Sequence, residues 1–190
     1  MNIFILDRNI EKSVEYHIDR HVVKMPLEAA QMLSTVIAVD KFLGYVPRAL
    51  TRAETQHIRK EAEGWPLYKP THVNHPCNIW ARTTIQNFMY LYEYLLFLGD
   101  EKQFRYPSKP PHKSVGVIID NFYDPKHLPS KGLTPFAMAM PDDYKDQAID
   151  AIDAYRTYYI CDKTHDRSGS PMAFWTNRDR PHWWKEKICT

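Results

Sequence analysis

The stretch Val14–Gly44, VEYHIDRHVVKMPLEAAQMLSTVIAVDKFLG, decides the fold. Wound at about 100° per residue, residues 14–36 place Ile18, Val22, Met25, Ala29, Met32 and Val36 on one stripe. Val23, Leu27, Ala30 and Leu33 fill the other faces, so from Val22 onward the helix is apolar nearly all round and belongs inside a core. His17, His21, Lys24, Glu28 and Gln31 nevertheless fall on a single line of it. Burying such groups costs several kcal/mol apiece unless they are paired or hydrated. They form either a satisfied structural network or the wall of a cavity. Pro26 sits between the two halves of the line, where it kinks one helix or opens a second as a first-turn residue.

Outward from this segment the chain reads as helical. Ile3–Leu6 is a short buried strand or extended anchor, and Asp7 or Asn9 caps a first helix from about Ile10 to about Lys24. Gly44 is placed to end the long apolar segment. A polar connection over 45–75 holds a short helix near 51–63. Asn74 or His75 followed by Pro76 starts a central helix to about Leu98, just before Gly99, with Cys77, Ala81, Ile85, Phe88, Tyr92 and Leu95 as its stripe. Residues 100–133 hold five prolines and no helical period, and a loop of that length suits a lid or substrate wall. Asp142 or Asp143 opens a last helix to about Cys161, and the tail is rich in tryptophan. The expected fold is mainly α: one helical domain, 1–190, of five or six helices with a short N-terminal strand and a long proline-rich loop.

Composition narrows the function. The 190 residues are 44% hydrophobic and carry a net charge of +2, which suits a globular domain and argues against a uniformly basic coat for nucleic acid. Three cysteines, Cys77, Cys161 and Cys189, without a CxxC spacing suggest a reducing compartment. The apolar N-terminus has no basic lead or cleavage site, and no apolar run approaches the roughly 18 residues of a membrane span. A cytoplasmic protein with no membrane partner is expected; its oligomeric state is open.

Two further clusters carry chemistry. Thr71-His72-Val73-Asn74-His75-Pro76-Cys77 lies at a helix start, where free N–H groups favour an anion and a histidine pair suits proton transfer near neutral pH. Arg82 lies two turns on, as a surface charge or a phosphate ligand. Basic residues interleaved with aromatics form the other group: Arg105, Tyr106, Lys109, His112 and Lys113 in the loop, Arg156, Tyr159 and Lys163 on the last helix, Trp175 and Arg178 in the tail. That pattern suits phosphates and stacked bases, or aromatics that close the core with arginines reaching outward.

MNIFILD, HIDRHVVKM with Glu28 and QMLST, THVNHPC with Trp80 and Arg82, TPFAMAMP, AYRTYYI and the tryptophan tail together resemble a family of small phage-encoded proteins, over most of the chain. This resemblance implies a lineage, not an activity. In architecture the chain also resembles the small helical pyrimidine-dimer DNA glycosylases. That resemblance implies Glu28 or Asp19 as catalytic carboxylate and an N-terminal amine as nucleophile. Asn2 is too large for ordinary removal of Met1, so the amine is that of Met1, or Lys24 stands in for it.

These readings converge on an enzyme acting on DNA or nucleotides, of glycosylase or base-modifying type. His17, His21, Lys24, Glu28, His72 and His75 are its candidate catalytic groups. Gln31, Asn74, Arg82 and the basic–aromatic residues above are its candidate substrate contacts. No cofactor is required. A divalent metal held by His17, His21, Glu28, His72 and His75 defines the alternative, a metal-dependent hydrolase or oxygenase. A non-enzymatic protein that binds a ligand or a host factor is the third class.

Overall fold

A computed structural model describes residues 1–146, 148–165 and 168–184. Seven α-helices appear among them: α1 Ile10–Glu15, α2 Asp19–Leu43, α3 Arg52–Glu61, α4 Pro76–Ala81, α5 Ile85–Arg105, α6 Lys113–Asp120 and α7 Ala151–Asp162, with a 3-10 turn at Asp142–Tyr144. The chain is a mainly α single domain. Its centre is α2, which packs most extensively on α5 and also meets α3, α4 and α6. Fifteen residues of α2 are buried, and Gly44 ends it in the left-handed conformation (φ 72°) expected of a helix stop. By length and composition α2 is apolar enough to cross a membrane, but 72% of its most apolar window is buried inside the fold.

The central polar segment divides elsewhere than at Pro26. Pro26 lies inside α2, and the chain breaks at residues 16–18. In an unbroken helix the carbonyls of Glu15 and His17 would accept from the amides of Asp19 and His21. Here Arg105 takes both carbonyls at 2.8 Å, the Asp19 amide donates to the Phe174 carbonyl, and the Ile18 amide donates to the Tyr159 hydroxyl. Tertiary donors and acceptors replace the helical ones, and His17 leaves the line it shared with His21.

Further expectations are corrected. Residues 3–6 are almost fully buried but form no strand, and no strand appears among the described residues. Side chains serve their backbone: Ser13 Oγ accepts from the Leu6 amide and donates to the Phe4 carbonyl, and Arg156 donates to the Leu6 carbonyl. The central helix is two, because Thr84 caps α5 by accepting from the Asn87 amide. Gly99 does not end it. α5 runs on to Arg105, and a Cβ at Gly99 would sit 2.9 Å from Val115 Cγ2, so the glycine is where α6 packs against α5. The proline-rich stretch is thus interrupted by α6. Beyond that helix, buried Asp40 anchors residues 123–127 by accepting from the amides of Lys126 and His127 and from the Tyr123 hydroxyl. The last helix begins only at Ala151, where Asp150 caps it by accepting from the Asp153 amide. Cys77 is a free, buried thiol, and Cys189 lies outside the described residues.

Candidate functional site

The polar line on α2 resolves into separate environments. His17 is wholly buried at the α1–α2 break. Its Nδ1 lies 2.8 Å from the Ser13 carbonyl, which can only accept, so Nδ1 carries the proton and Nε2 accepts from the Tyr94 hydroxyl at 2.8 Å. Burial pushes its pKa down to about 4. With both nitrogens used inside the core, His17 is a neutral tie between α1 and α5.

His21 stands at a boundary. Its ring stacks on Phe4 (centroids 4.8 Å apart, 11° between planes), and Nδ1 lies 2.7 Å from the Tyr159 hydroxyl. That hydroxyl accepts from the Ile18 amide and donates its own proton to His21, which leaves Nε2 as the N–H side of the ring. Burial, then the neighbourhood of His17 and the charges of Lys24, Lys163 and Arg20, push its pKa down to about 2. His21 therefore presents a neutral donor edge. It lines a cleft of about 740 Å³ with Arg20, Lys24, Asp162, Lys163, His165, Ser168 and Met172. Three basic side chains, Arg20, Lys24 and Lys163, face one carboxylate there, so the cleft favours an anion. Lys163 lies 4.4 Å above the Tyr158 ring, which holds it against α7.

Glu28 sits one turn beyond Lys24, and its side chain is 13% exposed. Oε1 is 3.0 Å from Lys24 Nζ; Oε2 accepts from the Asn2 amide at 3.0 Å and lies 3.6 Å from the Met1 ammonium. The carboxylate is thus held between two primary amines, one of which, Lys24, is also a wall of the cationic cleft. The Met1 side chain is 3% exposed while the residue as a whole is only half-buried, so its open surface is main chain.

Asn2 positions that amine. Its Oδ1 accepts from the Ile3 amide, the Tyr155 hydroxyl and the Cys77 thiol, and its Nδ2 donates to the Ala139 carbonyl. Three distant parts of the chain, at Cys77, Ala139 and Tyr155, thereby fix its start beside Glu28. Burial raises the Cys77 pKa to about 11, so the thiol is a protonated donor in this set. Sequence reasoning did not place Asn2, Tyr155, Arg20 or His165 in a site; a lone asparagine at the head of an apolar run was the only available signal for the first.

His75 caps α4 by accepting from the Cys77 amide at Nδ1. Burial lowers its pKa, the chain-terminal ammonium and His72 lower it further, and Glu28 acts in the opposite sense, so His75 feels the Met1–Glu28 pair. His72 is exposed, in the left-handed region (φ 48°), with its Nδ1 on Thr71 Oγ1. Asn74 is not the cap; its amide brackets Leu50 through both N–H and C=O. Gln31 is half-buried, and its backbone carbonyl accepts from the Thr35 hydroxyl.

Most of the basic–aromatic residues belong to the fold. Arg105, with its side chain fully buried, pairs with Glu101 at 2.6 Å and Asp19 at 2.9 Å. Arg178 pairs with Glu101 and Glu15 and lies 4.1 Å above the Phe104 ring. Arg156 pairs with Asp7 and covers Trp183, and Trp175 donates to the Tyr16 carbonyl. Arg82 is 2% exposed and donates to the carbonyls of Pro47, Arg48 and Val73. These are corrections to the substrate-contact reading: carboxylates elsewhere in the chain already engage Arg105, Arg156 and Arg178, whereas Arg82 meets only carbonyls. Tyr106 caps α5, its pKa raised by burial; Lys109 is exposed; His112 caps α6 and Lys113 opens it, and none of the four lines either large cleft. Of the phosphate contacts expected on the last helix, Lys163 faces the cationic cleft, and Tyr159 supports His21 from within the core.

No three His, Cys, Asp or Glu side chains among the described residues group closely enough to hold a metal ion. The alternative ligand set is therefore dispersed: His17 is inside the core, His21 in the cleft, and His75 beside Glu28. No family model, curated protein or solved structure matches the chain.

Proposed function

We propose that the protein is an enzyme acting on DNA or nucleotides at the bond between base and sugar, with Glu28 as its central carboxylate. The observation that carries this reading is the placement of Glu28 between the Met1 and Lys24 amines beside a cationic cleft. Base release by an amine needs those parts. The lone pair of a neutral amine attacks the sugar C1′, and the glycosidic bond breaks with its electrons leaving on the base. The attacking nitrogen surrenders a proton to Glu28 while the displaced base takes one up from solvent. The C1′–O4′ bond then opens with its electrons on O4′, Glu28 returns the proton to that oxygen, and a protonated imine joins nitrogen and C1′. Arg20, Lys24, Lys163 and the His21 N–H edge supply donors for the flanking phosphates.

Glu28→Gln tests the assignment. The amide keeps the size of the carboxylate and one acceptor oxygen but cannot take the amine's proton. Base release from ultraviolet-damaged or hypermodified DNA should fall at least about a hundredfold, within the range of general-base catalysis, while affinity for the same DNA changes little. Unchanged turnover in a folded Glu28→Gln protein would remove Glu28 from the chemistry. Loss of binding with turnover per bound complex intact would make it a structural anchor of the N-terminus.

A further inference from the structure

A second cleft, apart from the residues of the Glu28 site, has a volume of about 680 Å³. Its walls are Val46, Ile79, Trp80, Ala137 and four prolines, and its polar lining is Arg48, Arg82, Thr83, Thr134 and His127. Among the described residues, no aspartate or glutamate lines it. Pockets of this size accept a small organic molecule, and their few polar groups fix its orientation.

Arg82 makes this cleft unusual. The residue is 2% exposed, and its guanidinium contacts are the neutral carbonyls of Pro47, Arg48 and Val73, with no carboxylate partner among the described residues. Three of its five N–H groups are used in this way. Burial lowers its pKa to about 10, with no opposing carboxylate contribution. A buried cation without a counter-charge is costly, and an anion arriving beside it recovers part of that cost. Arg48, exposed on the rim and in no ion pair among the described residues, adds a second positive charge. His127 contributes less, because its Nδ1 is 3.3 Å from the buried Asp40 behind it. Trp80 is fixed through Nε1 to the Thr134 carbonyl and packed against Phe136 and Tyr90.

We infer that this cleft is a binding site for a small amphiphilic anion, a flat apolar or aromatic body against Trp80 and the prolines with a phosphate or carboxylate toward Arg48 and Arg82. Nucleoside monophosphates and aromatic carboxylates share that chemistry. The inference does not rest on the role proposed for Glu28.

Calorimetric titration of the full chain tests it, with AMP, TMP and indole-3-acetate as amphiphilic anions and with adenosine and inorganic phosphate as halves of the structure. At least one amphiphilic anion should bind saturably below about 1 mM, and each half at least about tenfold more weakly. Tight binding confined to the monophosphates identifies the anion as a phosphate, and confined to the indole acid as a carboxylate. Arg48→Glu alters an exposed rim charge, and Thr83→Phe fills the cleft from an exposed position, so both should retain the parent melting temperature. Each should weaken binding by tenfold or more. Absence of saturable binding up to about 5 mM, equal affinity for the halves, or affinities unchanged in both variants would each overturn the inference.

Discussion

Replacing Glu101 by glutamine is expected to cost the protein stability rather than nucleic-acid affinity. Glu101 is 4% exposed and joins two arginines: Arg105, whose side chain is fully buried, at 2.6 Å, and Arg178 at 2.7 Å. Glutamine keeps the shape but removes the charge, leaving Arg105 with Asp19 as its remaining ionic partner. Breaking a buried pair from one side costs about 3–5 kcal/mol. The partly exposed Arg178 is screened by solvent and adds little. At about 2–4 °C per kcal/mol for a chain of this size, the melting temperature should fall by roughly 10 °C. The pH dependence provides a second signature. Burial acts to raise the Glu101 pKa, but hydrogen bonds from Arg178 and Arg105, together with their charges, leave it below the ordinary carboxylate value. Its contribution is therefore present above the unfolded-state pKa and is lost as pH falls through the folded-state value. Denaturant unfolding of parent and Glu101→Gln at pH 7 and at pH 3 checks this: the gap should be wide at neutral pH and narrow in acid. A loss below about 1 kcal/mol at pH 7, or weaker DNA binding at unchanged stability, would refute the view that this arginine network serves the fold.

Three other perturbations probe the same geometry. His17 is neutral in the core with a pKa of about 4, so stability should decline as pH drops from about 6.5 toward 4, by an amount on the order of 3 kcal/mol; denaturation of His17→Asn should show a shallower decline across that window. Gly99→Ala should destabilise by about 1–2 kcal/mol despite alanine's better helix propensity, because the new methyl meets Val115, and Val115→Ala should relieve much of that loss in a thermal melt. Lys24→Ala should weaken binding of phosphorylated ligands several-fold in a titration and make that binding less sensitive to salt, since Lys24 belongs both to the ion pair and to the cleft wall.

Much of the fold was legible because it depended on period and on caps. The inner stripe of α2, the Gly44 stop and the Pro76 start are local signals expressed in the structure, although Val23 and Leu27 on the outer face are exposed. Of the stripe expected on the central helix, Phe88 and Leu95 are buried on α5 while Ile85 and Tyr92 are half-buried. The breaks were not legible, because they depend on distant partners. Residues 16–18 leave the helix since Arg105, Tyr159 and the Phe174 carbonyl take over its hydrogen bonds. Gly99 looked like a stop because a glycine after an apolar run usually is one; its reason is a neighbouring helix further along the chain. The same limit governed the site. Spacing placed Lys24 beside Glu28, and the start of the chain was anticipated near them. Sequence could not show that Asn2 is fastened by Tyr155, Cys77 and Ala139, nor which arginines find carboxylates. Charge alone marks Arg105, Arg156 and Arg178 as ligand groups, and only their partners reassign them.

Borohydride trapping tests the central claim most directly. An imine between the protein and a sugar C1′ is reduced by hydride to a stable amine, and peptide mass spectrometry locates the modified nitrogen. Incubated with ultraviolet-damaged, abasic and hypermodified DNA, the protein should yield a covalent adduct at the Met1 amine or at Lys24, the two nitrogens that flank Glu28. Blocking the N-terminus or substituting Lys24→Ala should abolish whichever adduct is mapped. No adduct on any of these substrates, from protein shown to turn over one of them, would contradict the account, as would an adduct on a lysine remote from Glu28.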